Sequence, residues 1–264
     1  MNKLTIIKNK IKGLLTQRSI FPDQISQELL MQQAADFFTF TEEDVQIHYK
    51  EYKQLHLAKQ YEAQLGERKT LCFEEAFLIY LAVLRNQPNH VVEIGTQYGK
   101  STRRILDILQ FTGLKSSQLT CFDIVDEVKY FSKVEAVLEQ YDVTNSFRDH
   151  VLLRLKPGII YLDAHPYWLL RNVISEFLDW SRGNTTILAI HDCSPLMYKS
   201  HMKIEKNDIE SITSQTGVWE RHVLSELFQT PNNRIDDIHT KTHRLRIFST
   251  SHGLALIMPL QGKD

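Results

Sequence analysis

The stretch VVEIGTQYGKSTRR, residues 91–104, decides the fold, because a short apolar run is followed by a glycine-containing turn and a helical pattern. Gly95 and Gly99 allow the backbone to take positive φ and to approach a ligand closely. Ser101 is expected to cap the helix, since its side chain can satisfy an amide that the first turn leaves without a partner. The segment therefore predicts a strand–turn–helix unit whose loop binds a ligand.

Two kinds of nucleotide site begin with such a unit, and the glycine spacing separates them. A phosphate loop reads G-x-x-x-x-G-K-[S/T], because its backbone amides curl round a phosphate. Only three residues lie between Gly95 and Gly99. Glu93, placed at the end of the predicted strand, would repel a polyphosphate but would accept hydrogen bonds from a hydroxylated or cationic ligand. A phosphate-loop NTPase stays as the contrasting hypothesis, because Gly-Lys-Ser-Thr follows a strand.

The rest of the chain alternates strand and helix patterns, which is typical of a parallel sheet. Strand patterns occur at 90–94, 118–123, 158–163 and 185–191, and helical patterns at 73–84, 101–110, 127–140 and 167–181. Two last strand patterns, 244–250 and 253–260, flank a Ser-His-Gly turn and predict an antiparallel hairpin. We therefore predict an α/β fold with a Rossmann-like, mostly parallel sheet, an antiparallel C-terminal hairpin strand and helices on both faces.

The predicted organisation has an N-terminal helical cap, residues 1–70, and a sheet domain, residues 71–264. Thr41 and Asp44 have the spacing of a capping box at the start of a helix in the cap. Residues 194–217 are polar and partly helical in pattern, so we predict an insertion there that covers the substrate.

Composition limits the classes of function. The chain has 31 Lys and Arg against 32 Asp and Glu, and this balance argues against a nucleic-acid partner, whose binding usually needs a basic excess. The three cysteines have no metal or disulfide spacing, which suits a reducing compartment. No apolar run is long enough for membrane insertion. We expect a cytoplasmic protein with a small-molecule substrate, and we leave open whether it forms a homo-oligomer.

Acidic and histidine residues are predicted at four strand ends: Glu93, Asp123, Asp163 with His165, and His191 with Asp192. In open α/β sheets, ligands bind outside the carboxyl ends of the strands, so we expect these residues to share one site. The position of Asp123, after the second strand, suits a carboxylate that accepts hydrogen bonds from both hydroxyls of a ribose.

A metal site is predicted from Asp163, His191 and Asp192. Two carboxylates and an imidazole form a mixed oxygen and nitrogen set that suits Mg, Mn or another first-row divalent ion with open positions for substrate. The alternatives are a buried His191 bonded to the backbone and an Asp192 that caps the next segment. His165 is expected to act as a general base, with metal ligation as its alternative.

These residues resemble the class I S-adenosylmethionine-dependent O-methyltransferases that use a divalent metal, such as the catechol, macrolide-sugar and cephalosporin-hydroxylase-like families. EIGTQYGKS is similar to their E-x-G-x-x-x-G-x-S loop. LDAH and IHD resemble their two metal segments. The resemblance implies S-adenosylmethionine and a divalent cation as cofactors, with Asp163 and Asp192 as metal ligands. The residues it implies around the methyl donor are Glu93, Gly95, Thr96, Gly99, Ser101 and Asp123.

The chain departs from these families at two positions. His191 stands where relatives generally have an acidic ligand, and Pro166 stands where the catechol enzymes have a catalytic lysine. His165 is therefore the expected base. The implied reaction is methyl transfer to a hydroxyl of a sugar, a natural-product intermediate of secondary metabolism, or a phenol. The alternative is a methyltransferase-like protein that binds a nucleoside or a partner without turnover.

Overall fold

The computed structural model describes residues 25–60, 71–194 and 219–260. Eight strands form one sheet in the order β3-β2-β1-β4-β5-β8-β7-β6. The strands are β1 (Val91–Ile94), β2 (Leu119–Asp123), β3 (Val137–Gln140), β4 (Ile159–Leu162), β5 (Ile187–Ile190), β6 (Asp237–His239), β7 (His243–Phe248) and β8 (Leu254–Pro259). β1 to β5 are parallel, and β8 pairs antiparallel with β5. The predicted fold class and C-terminal hairpin are confirmed.

Helices cover both faces of the sheet. Their bounds are α1 (Gln27–Phe38), α2 (Glu42–Lys59), α3 (Phe73–Asn86), α4 (Lys100–Phe111), α5 (Tyr167–Trp180) and α6 (Glu220–Leu227). α1 to α4 bury their apolar residues in one core, and α5 and α6 contribute to the core on the opposite face. The division between the cap and the sheet domain stays a prediction. The predicted insertion lies outside the described residues, apart from Ser194.

Residue alternation in the strands decides which side chains face α3 and α4. In β1, Val91 packs in the core on the side of α3 and α4, whereas Val92 and Ile94 pack in the opposite core. Successive residues of a strand point to opposite faces, so Glu93 lies on the side of α3 and α4. The same alternation runs through Ile187 and Ala189 of β5 and brings His191 to that side.

Residues 127–140 form a loop and a strand, so the predicted helix there is wrong. β3 pairs with β2, which would otherwise leave a row of backbone groups without partners at this edge of the sheet. Phe131 and Ala136 of this segment are buried in the core, but Val134 is 92% exposed, so its apolar residues do not share one helical face. Pairing with a strand distant in the sequence has overridden the local pattern.

The capping box of α2 is confirmed, because the Asp44 amide donates to the Thr41 hydroxyl and the Asp44 carboxylate accepts from the Thr41 amide. α3 extends the helix predicted at 73–84 by one half-turn and ends before Pro88. Within the described residues, no helix combines the length and the apolarity needed to cross a membrane.

Candidate functional site

The loop between β1 and α4 passes directly against the end of β4. Gly95 has a φ of 89°, and a Cβ atom on it would lie 2.0 Å from the carbonyl oxygen of Asp163. The Gly95 amide donates to the Phe122 carbonyl over 2.9 Å, which holds the loop across the end of β2. Only glycine combines this backbone conformation with so close an approach. Gly95 therefore sets the distance between the loop and the residues that follow β4.

Glu93 lies beneath this loop, at the third position of β1 and one residue before the strand ends. Its carboxylate is fully buried and accepts hydrogen bonds from the hydroxyls of Ser101, at 2.5 Å, and Thr102. The thiol of Cys121 lies 3.4 Å from the same carboxylate. Glu93 holds the loop from below, where the sequence suggested direct contact with the ligand.

The predicted capping role of Ser101 is wrong, because its hydroxyl donates to Glu93. α4 begins at Lys100, and Gly99, with a φ of 82°, occupies the position before it. Ser101 does lie near the start of the helix, as predicted. The buried Glu93 carboxylate below the helix is a strong hydrogen-bond acceptor, so the Ser101 hydroxyl donates to it instead of capping the helix.

Burial raises the pKa of Glu93 to about 7, against the hydrogen bonds of Ser101 and Thr102, which lower it. The pKa of this carboxyl is higher in the folded chain than in the unfolded chain. The fold therefore loses stability as the pH rises from the unfolded-state pKa to the folded-state pKa. We expect Glu93→Gln, which cannot ionise, to gain about 3 kcal/mol relative to the wild type between pH 4.5 and pH 7. Denaturant unfolding of both proteins across this pH range measures the difference.

Glu93→Ala serves as the contrasting variant. It leaves two hydroxyls and a thiol facing a cavity, so we expect its unfolding free energy to lie about 2–4 kcal/mol below that of Glu93→Gln at every pH in that range. A constant difference between Glu93→Gln and the wild type would contradict the pKa assignment of Glu93.

A cavity of about 800 Å³ opens at the carboxyl ends of the parallel strands. This volume falls within the range of small-molecule and cofactor sites. Six of the predicted residues line it, namely Gly95, Thr96, Ser101, Asp123, His165 and, at the metal end, Asp163. Tyr98, Phe122, Tyr130 and Tyr141 supply aromatic surface. Charged side chains of both signs, among them Asp123, Asp163, Lys100 and Lys129, line the cavity beside this apolar surface, which suits a polar nucleoside derivative.

Asp123 lies at the cavity wall formed by the end of β2. Its carboxylate accepts from the backbone amides of Gln97, at 2.7 Å, and Val125, at 3.1 Å. Each carboxylate oxygen has two acceptor sites, so both oxygens retain capacity for a hydroxyl donor. The two amides fix the orientation of the carboxylate before any ligand arrives, as expected for a residue that binds ribose hydroxyls.

The three predicted metal ligands come together at the ends of β4 and β5. Nδ1 of His191 lies 3.2 Å from Oδ1 of Asp163 and 3.4 Å from Oδ1 of Asp192. The β ladder continues to this point, since the His191 amide donates to the Leu162 carbonyl and the Asp163 amide to the Ile94 carbonyl. Asp192 has a φ of 60°, a left-handed backbone conformation at the point where the chain leaves β5.

The donor set fits a divalent cation. Oδ1 of Asp192 is buried and has no hydrogen-bond partner, although it faces two other polar atoms. Burial disfavours a charged His191, but the carboxylates of Asp163 and Glu75 raise the pKa of its ring well above the usual value. Three acceptor atoms at this separation require a cation between them, and a proton on His191 supplies that charge when no metal is bound.

His165 lies at the edge of the same centre. Its Nδ1 is 2.7 Å from Oε1 of Glu220, at the start of α6, and its Nε2 is 3.8 Å from Oδ2 of Asp192. The hydrogen bond to Glu220 raises the pKa of His165 to about 9. Burial raises the pKa of Glu220 to about 7. The Glu220 carboxylate fixes the orientation of the ring and keeps it mostly protonated near pH 7, so the capacity of His165 to accept a proton increases as the pH approaches 9.

No sequence pattern indicates Glu75 or Glu220 as site residues. Glu75 lies at the third position of α3, where its bond to the Cys72 amide has the form of an ordinary capping box. Glu220 opens a short helix after a long polar segment. Both look like helix-start carboxylates in the sequence, and only their burial shows that they hold histidines of the site.

Comparison with known protein families gives a match to part of the chain. Residues 92–193 match the family model of a methyltransferase domain. This match begins in β1 and ends one residue beyond Asp192, so it includes every predicted site residue. A search of curated proteins gave no match.

Two solved structures show the same fold. A Staphylococcus aureus protein described as a candidate caffeoyl-CoA O-methyltransferase has a TM-score of 0.50 at 13% identity, covering 81% of this chain and 100% of its own. The MycE methyltransferase of the mycinamycin biosynthetic pathway, in complex with Mg and S-adenosylhomocysteine, also has a TM-score of 0.50, at 16% identity. That alignment covers 79% of this chain and 54% of MycE.

The resemblance found in the sequence is thereby confirmed at the level of the fold. Residues 92–193, which carry the glycine loop and the strand-end residues, match a methyltransferase domain, and the chain has the fold of class I, S-adenosylmethionine-dependent methyltransferases.

Proposed function

We propose that this protein is an S-adenosylmethionine-dependent O-methyltransferase, assisted by a divalent metal, that acts on a hydroxyl of a small molecule. The observation that carries the proposal is the continuity of the cavity, which runs from Asp123 at one end to Asp163 and His165 at the other. A nucleoside held at Asp123 would extend its reactive end toward the metal ligands. Sugars, natural-product intermediates and phenols all supply suitable hydroxyls.

The residues of the cavity have separate roles in the proposed reaction. Gly95 and Thr96 let the loop approach the donor, and Asp123 holds its ribose. S-adenosylmethionine supplies an electrophilic methyl group, and a divalent ion on Asp163, His191 and Asp192 would orient the acceptor oxygen and lower the pKa of its hydroxyl. His165, oriented by Glu220, receives the proton of the acceptor hydroxyl. Much of the rate acceleration would come from positioning of the two reactants.

Calorimetric titration tests the donor site without knowledge of the acceptor. We expect S-adenosylmethionine to bind with micromolar affinity and ATP to give no response, with or without magnesium or manganese. Binding of ATP with magnesium alone would overturn the proposal and favour the phosphate-loop hypothesis. Donor binding without methyl transfer across a broad screen of hydroxyl acceptors would favour the non-catalytic alternative.

Replacing Asp123 by alanine tests its role at the ribose. The change removes a charge-assisted acceptor, so we expect S-adenosylmethionine affinity to fall about 10- to 100-fold. Asp126→Ala is the matched control, because Asp126 lies three residues further along the same loop and pairs with Lys133 on the surface. Equal affinities for the two variants would show that Asp123 does not bind the donor.

A further inference from the structure

We propose that Glu75 is a positioning residue that presents Nδ1 of His191 to the metal, and that the resulting site selects manganese, cobalt or zinc over magnesium. The inference rests on the proposed metal site and adds the class of ion and the residue that sets it. Neither Glu75 nor this selectivity follows from the local sequence, because Glu75 is 116 residues away from His191 along the chain.

The first step is the tautomer of His191. Oε2 of Glu75 lies 3.2 Å from Nε2 of His191, and both side chains are buried. An ionised carboxylate only accepts hydrogen bonds, so Nε2 carries a hydrogen and donates it to Glu75. In a neutral ring, the lone pair is then on Nδ1, the atom that faces Asp163 and Asp192. A carboxylate behind a histidine ligand fixes ring orientation in this way at many metal sites.

The second step is the spacing of the three ligand atoms. Ligands about 2.1 Å from an ion lie about 3.0–3.4 Å apart in octahedral or tetrahedral geometry. The distances from Nδ1 of His191 to the two aspartate oxygens, 3.2 and 3.4 Å, fall in this range. The orphaned Oδ1 of Asp192 completes the set. One ion can therefore contact all three residues without a large rearrangement.

The third step is the choice of ion. Magnesium prefers an octahedron of oxygen ligands and keeps several of its waters. First-row transition ions bind sites that contain nitrogen, and their affinity rises from manganese to cobalt, with zinc among the ions that imidazole suits best. Because Glu75 commits His191 to donate its Nδ1 lone pair, the nitrogen becomes a fixed part of the site.

A neighbouring group, Glu75, His191 and His252, also has the spacing of a metal site. However, the four acceptor positions of Glu75 already receive four donors. Oε1 accepts from the Thr250 hydroxyl and the His252 amide, and Oε2 accepts from the Cys72 amide and from His191. Glu75 therefore has no lone pair left for an ion, and it acts on the metal through His191.

The experiment compares metal binding by the full chain and three variants, with folding checked by circular dichroism. Manganese, cobalt and magnesium are titrated separately into the wild type, Glu75→Gln, His191→Asp and Thr250→Val. Thr250→Val is the matched control, because it removes another hydrogen bond of Glu75, of 2.8 Å, without touching His191. Pulsed electron paramagnetic resonance of the manganese-loaded proteins reports whether a nitrogen is coordinated.

We expect one ion per chain and at least 100-fold higher affinity for manganese or cobalt than for magnesium. Glu75→Gln should lower manganese and cobalt affinity about 10- to 100-fold, and Thr250→Val less than about 3-fold. His191→Asp should reduce the ratio of manganese to magnesium affinity at least 10-fold and abolish the nitrogen signal. If Glu75→Gln does not fold, the His191→Asp result and the nitrogen signal still decide the question.

Two results would overturn the inference while leaving the proposed metal site intact. One is metal binding by the wild type without a nitrogen signal and without selectivity over magnesium. The other is a second bound ion that is lost in His252→Ala, which would make Glu75 a ligand. A wild type that binds S-adenosylmethionine but no metal would instead refute the metal-assisted part of the proposed function, and this inference with it.

Discussion

Replacing Gly95 by alanine is expected to abolish measurable S-adenosylmethionine binding, with a loss of at least about 100-fold in affinity, and to lower the free energy of unfolding by about 3 kcal/mol. The added Cβ would lie 2.0 Å from the Asp163 carbonyl oxygen, which is backbone and cannot rotate away. The positive φ adds about 1–2 kcal/mol of backbone strain, and the overlap adds a similar amount. The loop must therefore move into the donor cavity or away from β4.

Gly183→Ala is the matched control for this prediction. Gly183 has nearly the same backbone conformation, with a φ of 81°, but an added Cβ there meets nothing within 4 Å. We expect it to lose only the backbone strain and to bind the donor normally. Calorimetry and denaturant unfolding measure both quantities. If Gly95→Ala and Gly183→Ala behave alike, the close approach of the loop to Asp163 is not needed for donor binding.

Replacing His165 by alanine is expected to slow methyl transfer about 10²- to 10⁴-fold, the usual contribution of a positioned general base. Donor affinity should change less than about 3-fold, because His165 lies at the metal end of the cavity, opposite Asp123. The rate of S-adenosylhomocysteine formation with an acceptor found by screening measures the first effect, and calorimetry measures the second.

Glu220→Gln and His222→Ala complete this test. Glu220→Gln keeps an acceptor beside His165 but removes its charge, so we expect a smaller loss than for His165→Ala. His222 lies on the same helix, near Glu226 on the surface, and its replacement should leave the rate unchanged. An unchanged rate for His165→Ala would exclude it as the base and leave the acceptor proton to another group.

The amino-acid sequence predicted that the residues at the strand ends lie close together, but it mispredicted one of the elements around them. The residues at the strand ends lie together as expected, because the carboxyl ends of parallel strands meet at one edge of a sheet. The helix predicted at 127–140 failed for the opposite reason. The helix was predicted from the spacing of nearby apolar residues. The strand that forms there pairs with the edge of β2, and this pairing is not visible in the local spacing.

Ser101 and Glu93 show that the contacts of a single side chain could not be predicted from the sequence. The sequence identified both as polar residues of the cofactor loop, and both lie in the loop region. Which atoms they contact depends on the distance between α4 and the sheet, and this distance is set by packing of the surrounding core. Glu93 consequently bonds to Ser101, although the sequence predicted a ligand for one and a helix cap for the other.

The sequence by itself determined the class of fold, the glycine turn and the chemical types of the residues at the strand ends, since these depend on periodicity and on spacing over a few residues. Only the tertiary structure decided which carboxylates stand behind the two histidines of the site. Glu75 reaches His191 and Glu220 reaches His165 because helices pack against the ends of β4 and β5. Such contacts arise from burial across long separations in the chain, where a buried charge is stable only beside a partner.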